Sequence, residues 1–304
     1  MDFPVDIVLP WLNPTERWMD TYKDYRGDEN VGRIRDMGTF RYLLRSIANN
    51  VPWVNKVVVL LYDEEQKPDW LVESDKLRIV YHKEFLPEEY LPNFNSLVTD
   101  MHICFIKDVS EHFIFINDDM FFMRSVPKEM FFSDTGRPVH HPSMKEGSYT
   151  RHNKAQFRYI EENMYNFVNH FAGKKLLWKT FHMPIPFRKS FQQFMWHQHG
   201  DLIKPMLDNS HIRSNTNICN WVFYGLEEMT GFCVLDDIYK KYPCVCFDLK
   251  DEMSDIPSRI ADKYIACLND GDFLTYDFER VKTDINTLLM EKFPNPCQFE
   301  QQVT

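Results

Sequence analysis

Apolar residues along the first 125 positions recur in two rhythms. Short β-branched runs at 5–9, 56–62, 77–81 and 112–116 predict strands. Between the first two, Phe40, Leu43, Leu44 and Ile47 fall at i, i+3, i+4 and i+7, the spacing of one apolar helix face. Arg41 and Arg45 share another face of that helix, one turn apart. This alternation is expected of strand-helix-strand units around a largely parallel sheet, so the fold class is α/β. From about 126 to 180 the chain is rich in His, Lys, Phe and Tyr, with turn signals at Gly136-Arg137-Pro138 and Gly147-Ser148. That stretch reads as loops and one helix. Residues 184–230 read as helical, with Trp, Phe and Met on the buried side. A strand pattern returns at 264–268, and Phe278, Val281, Ile285 and Leu288 mark a last helix ended by Pro294 and Pro296. No internal repeat or low-complexity tract interrupts these patterns. The organisation expected is one domain over 1–304, with a core from 1–125 joined by 260–304 and a helical elaboration over roughly 126–259.

Composition narrows the function. With 304 residues, 44% hydrophobic and 15% aromatic, the chain has enough apolar surface for a large core and is not a disordered protein. A formal net charge of -10 argues against extended nucleic-acid binding, so a small anionic ligand requires a local Arg cluster or a cation. The seven cysteines, at 104, 219, 233, 244, 246, 267 and 297, are odd in number and form no CxxC pair. Reduced thiols in a cytoplasmic protein are therefore expected. Cys244 and Cys246 read as alternate positions on a strand, not as a zinc clip. The N-terminus is too short and too acidic for a signal peptide, and no window reaches about 18 uninterrupted apolar residues. Any membrane association expected is peripheral, on the inner face of the cell membrane.

Three places carry candidate chemistry. Asn117-Asp118-Asp119 ends the apolar run HFIFI. Carboxylates at the carboxyl end of a sheet strand sit where open α/β folds bind ligands, and hard oxygens there suit Mg or Mn bridging a diphosphate. A turn or a helix N-cap accounts for such a pair equally well. The basic stretch Arg33, Arg35, Asp36, Arg41 and Arg45 offers guanidiniums able to clamp phosphate oxygens, against the alternative of a solvated helix face. In Phe181-His182-Met183-Pro184, a histidine precedes a proline expected to start a helix, and an imidazole there suits a general base. Eleven histidines are present, and most are expected to be structural.

These residues lie within blocks that resemble the Stealth family, which comprises bacterial capsular polysaccharide phosphotransferases and the lysosomal-enzyme GlcNAc-1-phosphotransferase. The blocks are PVDIVLPWLN (4–13), RDMGTFRYLLRSIANNVPWVNKVVVL (35–60), LPNFNS (91–96), SEHFIFINDDMFF (110–122), FHMP (181–184), ACLNDGDF (266–273) and FPNPCQFE (293–300). They occur in order and span nearly the whole chain. The resemblance implies a Rossmann-like nucleotide-sugar fold with helical elaborations, and transfer of a sugar 1-phosphate from a UDP-sugar to a glycan hydroxyl with release of UMP. It also implies a divalent ion, Mg or Mn, on Asp119 and Asp270. His182 is implied as the base, with Asp118, Arg41 and Arg213 beside the reacting phosphate. Donor contacts are implied for Asn13, Arg41, Arg45, Asn95 and Asn117. A capsular or cell-wall polysaccharide is the acceptor class expected, and an N-acetylhexosamine 1-phosphate the group moved.

Two departures from the family pattern stand out. Trp11-Leu12-Asn13-Pro14-Thr15-Glu16 replaces the usual W-V-D/N-G-x-D, and proline at the glycine position removes an N-H donor. Thr99-Asp100 stands where many members have Ile-Glu. Two other readings use the same residues: a metal-dependent glycosyltransferase releasing UDP, and a non-catalytic glycan or nucleotide-sugar binding protein.

Overall fold

The computed structural model describes residues 2–26, 34–152, 155–173, 175–178, 181–207, 211–249, 253–270 and 276–301. Its frame is a sheet built from β1 (Val5–Pro10), β2 (Lys56–Leu61), β3 (Leu77–Tyr81), β4 (His112–Phe115) and, later in the chain, Ile185–Arg188. The order is β3-β2-β1-β4 with Ile185–Arg188 outside β4. The first four strands run parallel, with Ile7 of β1 opposite both Val57 of β2 and Ile114 of β4.

Both faces of this sheet are covered, which is why its strands are nearly unbroken apolar runs. Because side chains alternate along a strand, neighbours enter different cores. Ile7, Leu9, Val57, Val59, Ile79 and Ile114 enter one. Val8, Val58, Leu60, Val80, Phe113 and Phe115 enter the other.

The helices that concern the site are α1 (Glu16–Arg26), α2 (Phe40–Asn50), α3 (Ser96–His102), α4 (Gln156–Ala172), α5 (Lys189–Leu207), α6 (Trp221–Thr230) and α7 (Phe278–Lys292). The stripe Phe40, Leu43, Leu44 and Ile47 is buried on the first core, as its spacing predicts. In α7 the buried positions are Val281, Ile285 and Leu289, with Leu288 only partly covered. Asp277 caps that helix by accepting from the backbone N-H of Arg280.

The stretch 184–230 is not continuously helical, and the helix expected to start at Pro184 is a strand. Ile185–Arg188 pairs antiparallel with β4, Phe113 opposite Phe187. Ile185 and Phe187 are buried. Pro186 is tolerated because this is the outer strand of the sheet, where a missing N-H breaks no ladder on the open side. Helix α5 follows directly and is broken at His199, whose φ of -134° and ψ of 22° are not helical.

A second sheet carries the C-terminal block to the end of β4. It joins β5 (Met120–Phe122), β6 (Cys244–Asp248) and β7 (Ile265–Asn269), with β7 in the middle. β6 and β7 run parallel, with Cys246 opposite Cys267, while β5 runs antiparallel to β7, with Met120 opposite Cys267. Among the described residues no helix is long and apolar enough to cross a membrane.

Candidate active site

The site is organised by the turn between β4 and β5. Asn117, Asp118 and Asp119 occupy it, closed by a bond from the N-H of Met120 to the carbonyl of Asn117 at 3.3 Å. The Leu268 N-H donates to the Asp119 carbonyl at 2.8 Å, tying the turn to β7. The segment leading into Ile185–Arg188 crosses the same point and supplies His182. Its Nε2 lies 3.0 Å from Asp119 Oδ2 and 3.4 Å from Asn117 Nδ2. One ring nitrogen cannot donate to the carboxylate and accept from the amide at once, so the shorter contact assigns the proton on Nε2 to the Asp119 side. The ring of Trp221, the first residue of α6, stands edge-on to the imidazole at 6.3 Å.

Electrostatics follow from this crowding. Burial works against a charged His182, but the charge and hydrogen bond of Asp119 outweigh it and lift the imidazole to about 9. Burial likewise pushes Asp119 up, yet His182 and the Cys267 thiol hold it below the usual carboxylate range. Asp118 opens to solvent, but the protein packed around it and the charges of Asp119 and Asp36 raise it to about 7. Asp118 thus carries the repulsion of Asp119 and Asp36, which a cation would relieve.

Asp119 itself tests whether these residues fit a metal. Its Oδ1 is buried and has no hydrogen-bond partner among the described residues. A bare buried acceptor costs about 1–3 kcal/mol, and a cation satisfies it. One donor atom each from Asp119, His182 and Cys267 lie within 4.8 Å of one another. Asp270, expected as the second ligand, is not in this group. Its carboxylate accepts from Arg35 Nε at 2.8 Å and Nη2 at 2.7 Å, and from the Tyr276 hydroxyl. The guanidinium of Arg35 neutralises it, and that guanidinium also stacks over the Phe278 ring at 4.0 Å. His182 and Cys267 stand where Asp270 was expected.

The remaining expected site residues separate into two kinds. Arg213 reaches the first turn of α3, donating from Nη2 to Ser96 Oγ at 2.8 Å. Beside it Asp100 is raised to about 7 by burial, with the charge of Arg213 pulling the other way. Asn95, expected to touch the donor, is 1% exposed and already committed. It caps α3 by accepting from the N-H of Leu97 and donates to Asn217 Oδ1 at 2.8 Å, binding the loop before α3 to the Arg213 segment. Arg45, also expected at the donor, is buried in a bidentate pair with Glu300. Arg41 is more open, 3.3 Å from Glu300 Oε2 and 4.7 Å from the Trp70 ring centre. Asn13 donates to the Gln66 carbonyl at 3.1 Å. Arg33 lies outside the described residues.

Sequence reasoning passed over Glu300, Cys267 and Trp221. Glu300 had a signal, being the acid of FPNPCQFE. Cys267 and Trp221 had none, since each matters only through what packs beside it.

Comparison with known proteins agrees with this arrangement of blocks. The model of Stealth protein CR2, conserved region 2, matches residues 33–140. The exopolysaccharide phosphotransferase cps2G of Lactiplantibacillus plantarum is 28% identical over 98% of this chain and 97% of its own length. The capsular polysaccharide phosphotransferase LcbA of Aeromonas hydrophila is 30% identical over 77% of this chain and 68% of its own. Among solved structures, the galactosyltransferase LgtC in complex with donor and acceptor sugar analogs has a TM-score of 0.41 at 10% identity, covering 96% of this chain and 98% of that one. With in-order blocks from residue 4 to residue 300 and relatives that share most of its length, the chain belongs to the Stealth family.

Proposed function

We propose that this protein transfers a hexose 1-phosphate, an N-acetylhexosamine 1-phosphate by family resemblance, from a UDP-sugar to a hydroxyl of a capsular or cell-wall polysaccharide. The acceptor oxygen forms a bond to the phosphorus that carries the sugar. The bond from that phosphorus to the bridging oxygen breaks, and UMP leaves. The anomeric carbon takes no part, so its configuration is kept.

The observation that carries this reading is the 3.0 Å contact between His182 and Asp119 at the end of β4, in a chain whose relatives are named polysaccharide phosphotransferases. His182 is the group to take the acceptor proton, at Nδ1, while Asp119 holds the proton on Nε2 and supports the imidazolium that forms; a cation on Asp119 would weaken the pull that keeps the ring charged without it. Arg213 and Arg41 would donate to the diphosphate oxygens, and Asn13 and Asn117 would contact the donor. Asp118 and Asp119 would hold the ion, Mg or Mn, with Asp270 joining them only if Arg35 releases it. Bound there, the ion neutralises the diphosphate and the departing UMP. Asn95 and Arg45 support these residues from behind.

The test is to incubate the protein with UDP-sugars, Mg or Mn and candidate glycans, and to identify the nucleotide released. UMP formed only with acceptor and metal supports the proposal. UDP would replace it with glycosyl transfer, and donor binding without any nucleotide product would replace it with a binding protein.

A further inference from the structure

Sulfur sits beside the Asp119–His182 pair. The Cys267 thiol donates to the same carboxylate oxygen that His182 meets, Sγ to Asp119 Oδ2 at 3.3 Å. Cys246 stands in register with Cys267 on the neighbouring parallel strand, so both side chains leave the sheet on one face. Cys267 is buried and Cys246 exposed, which gives an ion arriving from solvent a first sulfur to meet.

We propose that Asp119, His182 and Cys267, whose donor atoms lie within 4.8 Å of one another, form a binding centre for a thiophilic divalent cation of the Zn2+ class, with Cys246, outside that group but in register with Cys267, rotating in as the fourth ligand. In a tetrahedral zinc site with bonds of about 2.0 to 2.3 Å, adjacent ligand atoms lie roughly 3.3–3.8 Å apart. The observed 3.0 and 3.3 Å contacts need only small side-chain rotations to reach that spacing. His182 and Cys267 both meet Oδ2 of Asp119, and the other oxygen, Oδ1, is buried with no partner among the described residues, so the carboxylate keeps an acceptor available to a cation. Two sulfurs and an imidazole are the wrong donors for Mg2+, which demands oxygen at near-octahedral geometry, and the right ones for Zn2+. Binding displaces the thiol and imidazole protons to solvent.

The centre does not depend on which transfer the protein performs. Its consequence does rest on the transfer proposed above: with Nε2 held by the cation, the neutral His182 ring carries its one proton on Nδ1 and cannot take another from a hydroxyl, so Zn2+ inhibits the Mg-supported reaction.

Co2+ titrated into the full chain is the probe, because a bound thiolate gives a sulfur-to-cobalt charge-transfer band in the near ultraviolet whether or not the protein is active. The expected result is a band saturating at one equivalent, persisting in excess Mg2+ and abolished by Zn2+. Cys267→Ser should remove most of it and Cys246→Ser should weaken it. Zn2+ affinity of Cys267→Ser should fall by more than the about 10–100-fold that loss of an outer-shell partner costs. No band in the wild type, or a band unchanged in both variants, overturns the proposal. If Cys267→Ser does not fold, Cys246→Ser and Asp119→Asn decide: wild-type Co2+ binding in both overturns it equally.

Discussion

Arg45 and Glu300 lie 255 residues apart in the chain and meet as a bidentate ion pair, Nε to Oε1 at 2.7 Å and Nη2 to Oε2 at 2.8 Å. Arg45 Nη1 also donates to the carbonyls of Phe293 and Pro294, so α2 holds the C-terminal segment at three points. Both side chains are buried. Glu300→Gln keeps the volume and strands the guanidinium, and should cost about 3–5 kcal/mol of stability. A shift in the urea midpoint measures it, and a variant as stable as wild type would show the pair to be dispensable.

His182 and Asp119 have a different signature. His182→Ala should lower kcat by about 10²–10⁴-fold while UDP-sugar affinity, measured by calorimetry, changes little. Asp119→Asn should lower both kcat and metal-dependent donor binding, because it removes the charge and leaves only a neutral amide. Wild-type turnover in His182→Ala would remove this residue from the reaction.

Arg213 and Arg45 can be told apart by the parameter that responds. Arg213→Ala should lower kcat/KM for the UDP-sugar by about 10²-fold or more, as loss of one donor to developing charge does, with a modest change in Tm. Arg45→Lys should lower Tm and leave the kcat/KM of the folded fraction near wild type. The opposite pattern would exchange their roles.

Stability should also depend on pH through His102. It is 2% exposed, bonded from Nδ1 to the Val98 carbonyl at 2.7 Å. Burial depresses it to about 4, against the pull of that bond. The unfolded chain takes up this proton near pH 6.5 and the folded one only near 4, so the stabilisation is whole above about 6.5 and is lost as pH falls towards 4. The slope is at most about 1.4 kcal/mol per pH unit. Asp100, raised to about 7, acts with the opposite sign, losing stability as pH rises towards 7. The measurement is therefore the difference in unfolding free energy between wild type and His102→Gln across that window, and an unchanged slope in the variant would refute the assignment.

The strands at the front of the chain and the stripe of α2 were legible because burial on two faces of a sheet, or one face of a helix, writes a local period into the sequence. The Asn117-Asp118-Asp119 turn and His182 were legible as blocks, since a short motif ending an apolar strand is also local. Local pattern misled at Pro184, where a proline that often starts a helix instead leads into an outer strand; only the proximity of β4 decides between the two. It was silent on partners. Nothing near Arg45 announces Glu300, and nothing near Asp270 announces that Arg35 holds its carboxylate while His182 and Cys267 gather at Asp119. The sequence by itself determined the periods, the turns and the chemical inventory. Which carboxylate meets which cation was decided by tertiary structure, because ion pairs and metal ligands depend on separations of about 3 Å between residues whose distance along the chain carries no information about them.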